Sequence, residues 1–422
     1  MKSFGLSRYA LSGGVAVALL AGCGRSQPPI GAPGAMPLSA IAAHADRSAK
    51  YKVLYSFNGG TYGGEPQASL VDVDGTLYGT TYGGGAYGQG TVFAISVSGK
   101  ERVLHSFGSG TDGVWPSASL IDVNGKLYGT TGHGGGPGCG FGNSCGTVFS
   151  ITTDGKEKVL HSFGSGTDGW WPFASLTDVN GTLYGTTANG GADRSTCGNT
   201  GCGTVFSITP DGSEKVLHSF GGGDGEEPYA GLIAVKGSLY GTTAFGGSYD
   251  AGTVFSISTT GEETVLHSFG KGADGVRPIA SLTDVNGTLF GTTSFGGAAS
   301  TCGNGCGTVF RISMDGQEKV VLNFNGADGA YPEAGLVHLN GRFYGTTAGG
   351  AHLARRCVGS GCGTLFSVKP AGNEVVLHTF GRGRDGYWPN SALIDVNGTL
   401  YGTTPRGGAL RQRPGTVFAL TP

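Results

Sequence analysis

Seven positions directly ahead of a proline carry side chains suited to gripping a ligand. They are Glu65, Trp115, Trp171, Glu227, Arg277, Tyr331 and Trp388. Aromatic faces beside a carboxylate suit a glycan or a peptide, because such rings offer a large apolar surface next to polar anchors. Cysteine offers other chemistry. Beyond Cys23, eight cysteines fall in four close pairs: Cys139 with Cys145, Cys197 with Cys202, Cys302 with Cys306, and Cys357 with Cys362. In an exported chain such pairs predict disulfides closing small loops; two zinc sites, each of four cysteines, are the alternative. His105, His161, His218, His267 and His378 share one spacing, with Tyr55 and Asn323 read at the same slot. A slot repeated around a rim keeps these side chains apart, so a structural role is expected. Asp112, Asp168, Asp224, Asp274, Asp328 and Asp385 each precede Gly. One carboxylate per loop is short of the oxygens calcium needs and is expected to form an Asx-turn. Signatures of serine hydrolases, zinc peptidases and P-loop enzymes are not found. Glu65, Glu227 and Arg277 are left as weak catalytic candidates; no catalytic residue, metal or cofactor is assigned.

The elements that must hold these residues are repeats. Leu77-Tyr78-Gly79-Thr80-Thr81 sets a pattern whose tyrosine slot returns at Tyr128, Tyr184, Tyr240, Phe290, Tyr344 and Tyr401, at intervals of 50 to 57 residues. Such a period signals a propeller or an array. Each repeat holds four strand-like runs; in the second they are 118–123, 126–131, 147–151 and 158–163. Asn124-Gly125 joins the first two and Asp154-Gly155 the last two. Both dipeptides are hairpin signals, their central residues being expected at positive φ. Seven repeats of four antiparallel strands predict an all-β, seven-bladed β-propeller. Val53–Phe57 matches a fourth strand and Thr416–Leu420 a third, so the N-terminal segment is expected to complete the last blade and close the ring. An open solenoid would not explain these complementary ends. The short Asn-Gly and Asp-Gly turns lie on one face, and the long loops with the pre-proline slots on the other. The slots are expected to ring the channel mouth, as a ligand site or as packing between blades.

The pattern Gly-x-Leu-Tyr-Gly-Thr-Thr, a Gly-rich stretch, then Gly-Thr-Val-Phe-x-Ile resembles the bacterial GloVer tandem-repeat family. It covers 51–422, with small departures at Phe290, Phe343 and Gly363-Thr364-Leu365-Phe366. The resemblance implies an exported, propeller-like protein and brings no catalytic residues with it. The Gly pair after the second strand is loosely similar to kelch repeats, without their following Tyr and Trp.

The remaining segments predict an address. Lys2 and Arg8 precede a short apolar run, and Leu20-Ala21-Gly22-Cys23 resembles a lipobox. Residues 1–22 are read as a lipoprotein signal peptide and 23–50 as the lipidated Cys23 and a Pro/Ala/Gly-rich tether; a plain secretory signal is the alternative. Gly24 in place of Asp favours the outer membrane. Removing Lys2 and Arg8 leaves 25 basic against 29 acidic residues, a net charge of −4. That balance gives nucleic-acid binding no electrostatic support. The expectation is a lipid-anchored monomer that binds a glycan or an envelope protein and meets the membrane only through its anchor. A carbohydrate-active lyase or hydrolase, or a purely structural surface protein, are the alternatives.

Overall fold

The computed structural model describes residues 49–136, 145–192, 196–351, 357, 360–409 and 414–422. The predicted signal peptide, Cys23 and nearly all of the tether lie outside them. Seven antiparallel sheets of four strands form the blades of a β-propeller. Blade 4 is representative, with strands Ile233–Val235, Ser238–Thr243, Thr253–Ser258 and Glu263–Ser268 running from the axis outward. The ring closes as expected. Lys50–Ser56 pairs with Thr416–Thr421, giving the last sheet its outer strand. The innermost strands are shorter than the sequence pattern suggested; Ile121–Val123 is the paired part of 118–123. The preceding residues run along the axis and line a narrow central cavity of about 130 Å³ instead.

Turn chemistry explains the hairpins, with one correction. Asn124 and Gly125 both have positive φ (56° and 80°), as a type I′ turn requires, and the equivalent dipeptide does so in every blade. At Asp154-Gly155 only the glycine is positive, at 97°. That turn is longer: Gly155 N–H donates to Thr152 O and Thr152 N–H to Lys156 O.

Each residue of the Leu-Tyr-Gly-Thr-Thr strand has a separate task. Tyr128 of blade 2 packs with Leu176, Leu183 and Phe206 of blade 3, filling the gap between sheets. The glycine faces its cross-strand partner, Gly241 opposite Phe255. A Cβ at Gly241 would lie 2.6 Å from Phe255 Cζ and 2.8 Å from Leu232 Cδ2. The register shows that the neighbour is the phenylalanine of the same sheet, lying over the glycine. The first threonine bonds across blades: Thr80 Oγ1 donates to Ala118 O, and Thr403 Oγ1 donates to Ala68 O across the closure. The second threonine bonds within its blade, as Thr81 does to Thr91. Gly241→Val is therefore expected to lower stability by about 1–3 kcal/mol through overpacking. Chemical denaturation of variant and parent measures this, and an unchanged midpoint would refute the packing assignment.

Candidate functional site at the channel mouth

The seven pre-proline residues adopt positive φ, from 55° at Glu227 to 61° at Trp171 and Trp388. This conformation is costly for a bulky side chain and is doubly restricted ahead of proline. Backbone bonds hold it. Trp115 N–H donates to Gln89 O of the preceding blade, and Trp115 O accepts from Gly132 N–H of its own. The proline packs on the glycine that opens the neighbour's third strand; a Cβ at Gly90 would lie 2.6 Å from Pro116 Cδ. Blade-to-blade fastening thus falls to the backbone and the proline, while all seven side chains keep partial exposure.

The cysteines support four of these slots. Cys197–Cys202, Cys302–Cys306 and Cys357–Cys362 are disulfides with Cα atoms 5.2, 5.1 and 5.2 Å apart. Cys145 is also disulfide-bonded; Cys139 lies outside the described residues. The second cysteine of each pair offers the carbonyl that holds the next slot: Cys145 O to Trp171, Cys202 O to Glu227, Cys306 O to Tyr331 and Cys362 O to Trp388. Each small ring therefore fixes an anchor point for a mouth residue.

The side chains form a belt that includes residues sequence reasoning missed. Trp115 stacks on Tyr82 at 5.6 Å and meets His133 edge-on at 4.9 Å. His133 also approaches Trp171 at 5.6 Å, joining two slots. Phe173 stacks on Tyr229 at 6.0 Å, and Tyr229 OH donates to Glu227 at 3.0 Å. Arg277 lies over Phe245 and Phe295, and Phe295 touches Tyr331. Glu65 is ion-paired with Arg406. Glu65, Glu227 and Arg277, the weak catalytic candidates, are therefore all engaged with neighbours. Most of the missed residues sit immediately after the second strand or after the slot proline, positions whose variability from repeat to repeat is the signal that could have revealed them.

Two clefts open beside Tyr331. One, of about 390 Å³, lies between blades 6 and 7 and is lined by Tyr331, Trp388, Gln67, Glu333, Asn390 and Arg406 among others. The second, of about 290 Å³, shares Tyr331 and runs along the Cys302 loop. Trp388 Nε1–H donates to Gly361 O at 3.0 Å and Tyr331 OH donates to Cys302 O at 3.4 Å, so both rings are oriented. Burial pushes the Glu333 carboxyl upward, with the Arg277 charge opposing it. Asn390 Oδ1 is buried without a protein partner.

Where an outer strand carries histidine, it pairs with aspartate on the loop that follows. His105 Nε2 lies 2.9 Å from Asp112 Oδ2, and Asp112 Oδ1 accepts Gly108 N–H at 3.0 Å. The expected Asx-turn is thus corrected: the carboxylate reaches back to a residue four earlier and to the histidine, and it is not a lone group. His161, His218, His267 and His378 do likewise. The slot assignment of Asn323 is also corrected. Leu322 faces Val309 as His267 faces Val254, and Asn323 matches Ser268. Each outer strand from blade 1 to blade 6 begins with a glutamate (Glu101, Glu157, Glu214, Glu263, Glu318, Glu374) whose Oε1 is buried without a partner. Burial, aided by the neighbouring aspartate, raises Glu157 and Glu318 to about 7 and Glu374 to about 8.

The fold and its closed ring define a repeat-built, seven-bladed propeller. The chain belongs to the Gloeobacter/Verrucomicrobia repeat family, whose model matches residues 42–197 and 194–418. No curated protein matches it. Among solved structures it is similar to a gluconolactonase from Xanthomonas campestris, at 13% identity over 91% of this chain and 92% of that one, with a TM-score of 0.43. A structural-genomics protein of unknown function from Bacteroides thetaiotaomicron matches at 12% identity over 88% and 76%, with a TM-score of 0.46.

The raised glutamates set a pH dependence. Glu374 binds its proton more tightly folded than unfolded, where its value is near 4.5. Its contribution is complete below pH 4.5 and is lost as pH rises through 8. Glu374→Gln is therefore expected to raise stability at about pH 8.5 and leave it nearly unchanged at about pH 4.5. Thermal melts across that range test the sign.

Proposed function

We propose that this protein is an extracytoplasmic binding module, tethered through lipidated Cys23 in the outer membrane, that takes a glycan at the channel mouth. The observation that carries the reading is the pairing of Tyr331 and Trp388 on one cleft of about 390 Å³. Their rings offer apolar faces to sugar C–H groups, and their own polar tips are already satisfied. Gln67, Glu333, Asn390 and Arg406 supply donors and acceptors at the same surface. Trp115, with its neighbours Tyr82 and His133, extends the aromatic surface toward Trp171. Engagement of Glu65, Glu227 and Arg277 by neighbours favours holding a ligand over turning it over.

A glycan array combined with a product assay tests this. Oligosaccharide binding without turnover is expected. Trp388→Ala and Trp115→Ala should each weaken it by about tenfold or more, the loss of roughly 1.4 kcal/mol at an aromatic anchor, while melting temperature changes little. Product formation would replace the reading with a lyase or hydrolase, and capture of an envelope protein with no glycan bound would replace the ligand class. Equal loss of binding and stability would assign the rings to packing.

A further inference from the structure

The junctions between blades carry a second constellation, built from the outer strands and the loops that lead from them to the pre-proline slots. Between blades 2 and 3, His161, Asp168 and Glu214 bring one ligand atom each within 4.8 Å of the others; between blades 3 and 4, His218, Asp224 and Glu263 do the same. The His–Asp separations are 3.2 and 2.9 Å. Ligand atoms around a tetrahedral zinc ion lie about 3.4 Å apart, given bonds of roughly 2.0–2.2 Å. The His–Asp pairs would widen slightly, and each glutamate would close from within 4.8 Å, to reach that spacing.

Charge and hydrogen bonding point the same way. Each group holds two carboxylates and one imidazole, so a divalent cation would balance it. Glu214 Oε1 and Glu263 Oε1 are buried without a partner, so a lone pair of each is unclaimed. The other oxygen of each aspartate is already fixed: Asp168 Oδ1 accepts Gly164 N–H at 2.9 Å and Asp224 Oδ1 accepts Gly221 N–H at 2.8 Å. Those bonds orient the carboxylates and leave Oδ2 facing the histidine, as the hydrogen bonds behind the ligands do at metal centres. Three protein ligands of N and O type with a fourth position for water suit zinc.

Two further junctions hold the same residue types, His105–Asp112–Glu157 and His267–Asp274–Glu318. Among the described residues, only the two groups above bring all three ligand atoms within 4.8 Å of one another. The remaining three junctions have lost a member. Leu322 replaces the histidine between blades 5 and 6. Tyr51 replaces the glutamate between blades 6 and 7 and stacks on His378 at 3.7 Å. Between blades 7 and 1, Tyr55 OH donates to Glu101 Oε2. We propose that His161–Asp168–Glu214 and His218–Asp224–Glu263 are two divalent-cation sites, selective for zinc, that fasten blades 2, 3 and 4 to one another.

The full-length chain, stripped with chelator and kept oxidised so that the disulfides do not compete, is titrated with Zn²⁺ by calorimetry and with Co²⁺ by absorption. Two equivalents are expected, with a tetrahedral Co²⁺ spectrum and a melting temperature that rises by several degrees at saturation. Glu214→Gln and Glu263→Gln, which keep shape and leave the His–Asp bonds in place, should each remove one equivalent. His161→Gln with His218→Gln should remove both. Absence of stoichiometric binding overturns the proposal. So does binding that survives Glu214→Gln with Glu263→Gln in a chain whose metal-free melt shows it folded.

Discussion

The structure depends on a phenylalanine lying over a glycine. In every blade the third-strand phenylalanine covers its cross-strand glycine, as Phe93 covers Gly79 and Phe418 covers Gly402. The glycine weakens its own strand, and the ring restores the lost packing. That same ring meets, edge to face, the phenylalanine ending the previous blade's outer strand: Phe57 on Phe93, Phe107 on Phe149, and so on to Phe380 on Phe418. A side chain at the glycine would push the ring outward and break both contacts. Seven repetitions convert a weak local pairing into a closed circuit in which each blade's core is completed by its neighbour. The near-invariance of Leu-Tyr-Gly-Thr-Thr then has a physical cause, since its tyrosine and first threonine also reach into the next blade.

Fastening at the mouth is done by backbone, which releases side chains to vary. A slot residue donates its N–H to the previous blade and its C=O accepts from its own, so any side chain can occupy the position provided the left-handed backbone is held. Trp388 shows the limit of this arrangement. The residue that would donate to its carbonyl is Pro405, which has no N–H. Trp388 is still held by the short ladder of Gly386–Tyr387 on Arg406–Gly407, a feature blade 3 shares, and by the Cys357–Cys362 loop that accepts Trp388 N–H.

Much of this was legible in the sequence. The repeat length, the Asn-Gly turns, the complementary termini and the paired cysteines prescribe the ring, because each is a local signal with one geometric solution. The slots before proline were located for the same reason. What could not be read were contacts whose partners sit a full repeat away. The phenylalanine over each glycine could not be read either, because spacing alone does not say which strand supplies the ring. The rim clusters were missed because histidine and aspartate were weighed separately. Yet the chain carried a clue. Tyr55, the one described residue in that slot whose following loop has no aspartate, bonds Glu101 instead. Where tyrosine replaces histidine the aspartate is absent, whereas beside Leu322 the aspartate persists as Asp328 and bonds Asn325 instead.

Symmetry frames what the mouth can do. Seven identical blades would present an identical residue at each slot, and a ligand would then have to sit on the axis or choose among equal sites. Rings of Ala, Ser and Gly line the axis together with larger residues such as Phe173, Tyr229 and Glu333, and Gly231 stands so close to Ser175 that a Cβ would meet its hydroxyl at 2.4 Å. On the proposed reading a ligand would sit off the axis, where the slots break the symmetry. The break is uneven: charge is locked away at Glu65, Glu227 and Arg277, and open aromatic surface accumulates at Tyr331, Trp388 and Trp115. A ligand held there would span neighbouring blades and would feel their relative position. That ties recognition to the inter-blade circuit of phenylalanines, because any loosening of that circuit would separate Tyr331 from Trp388.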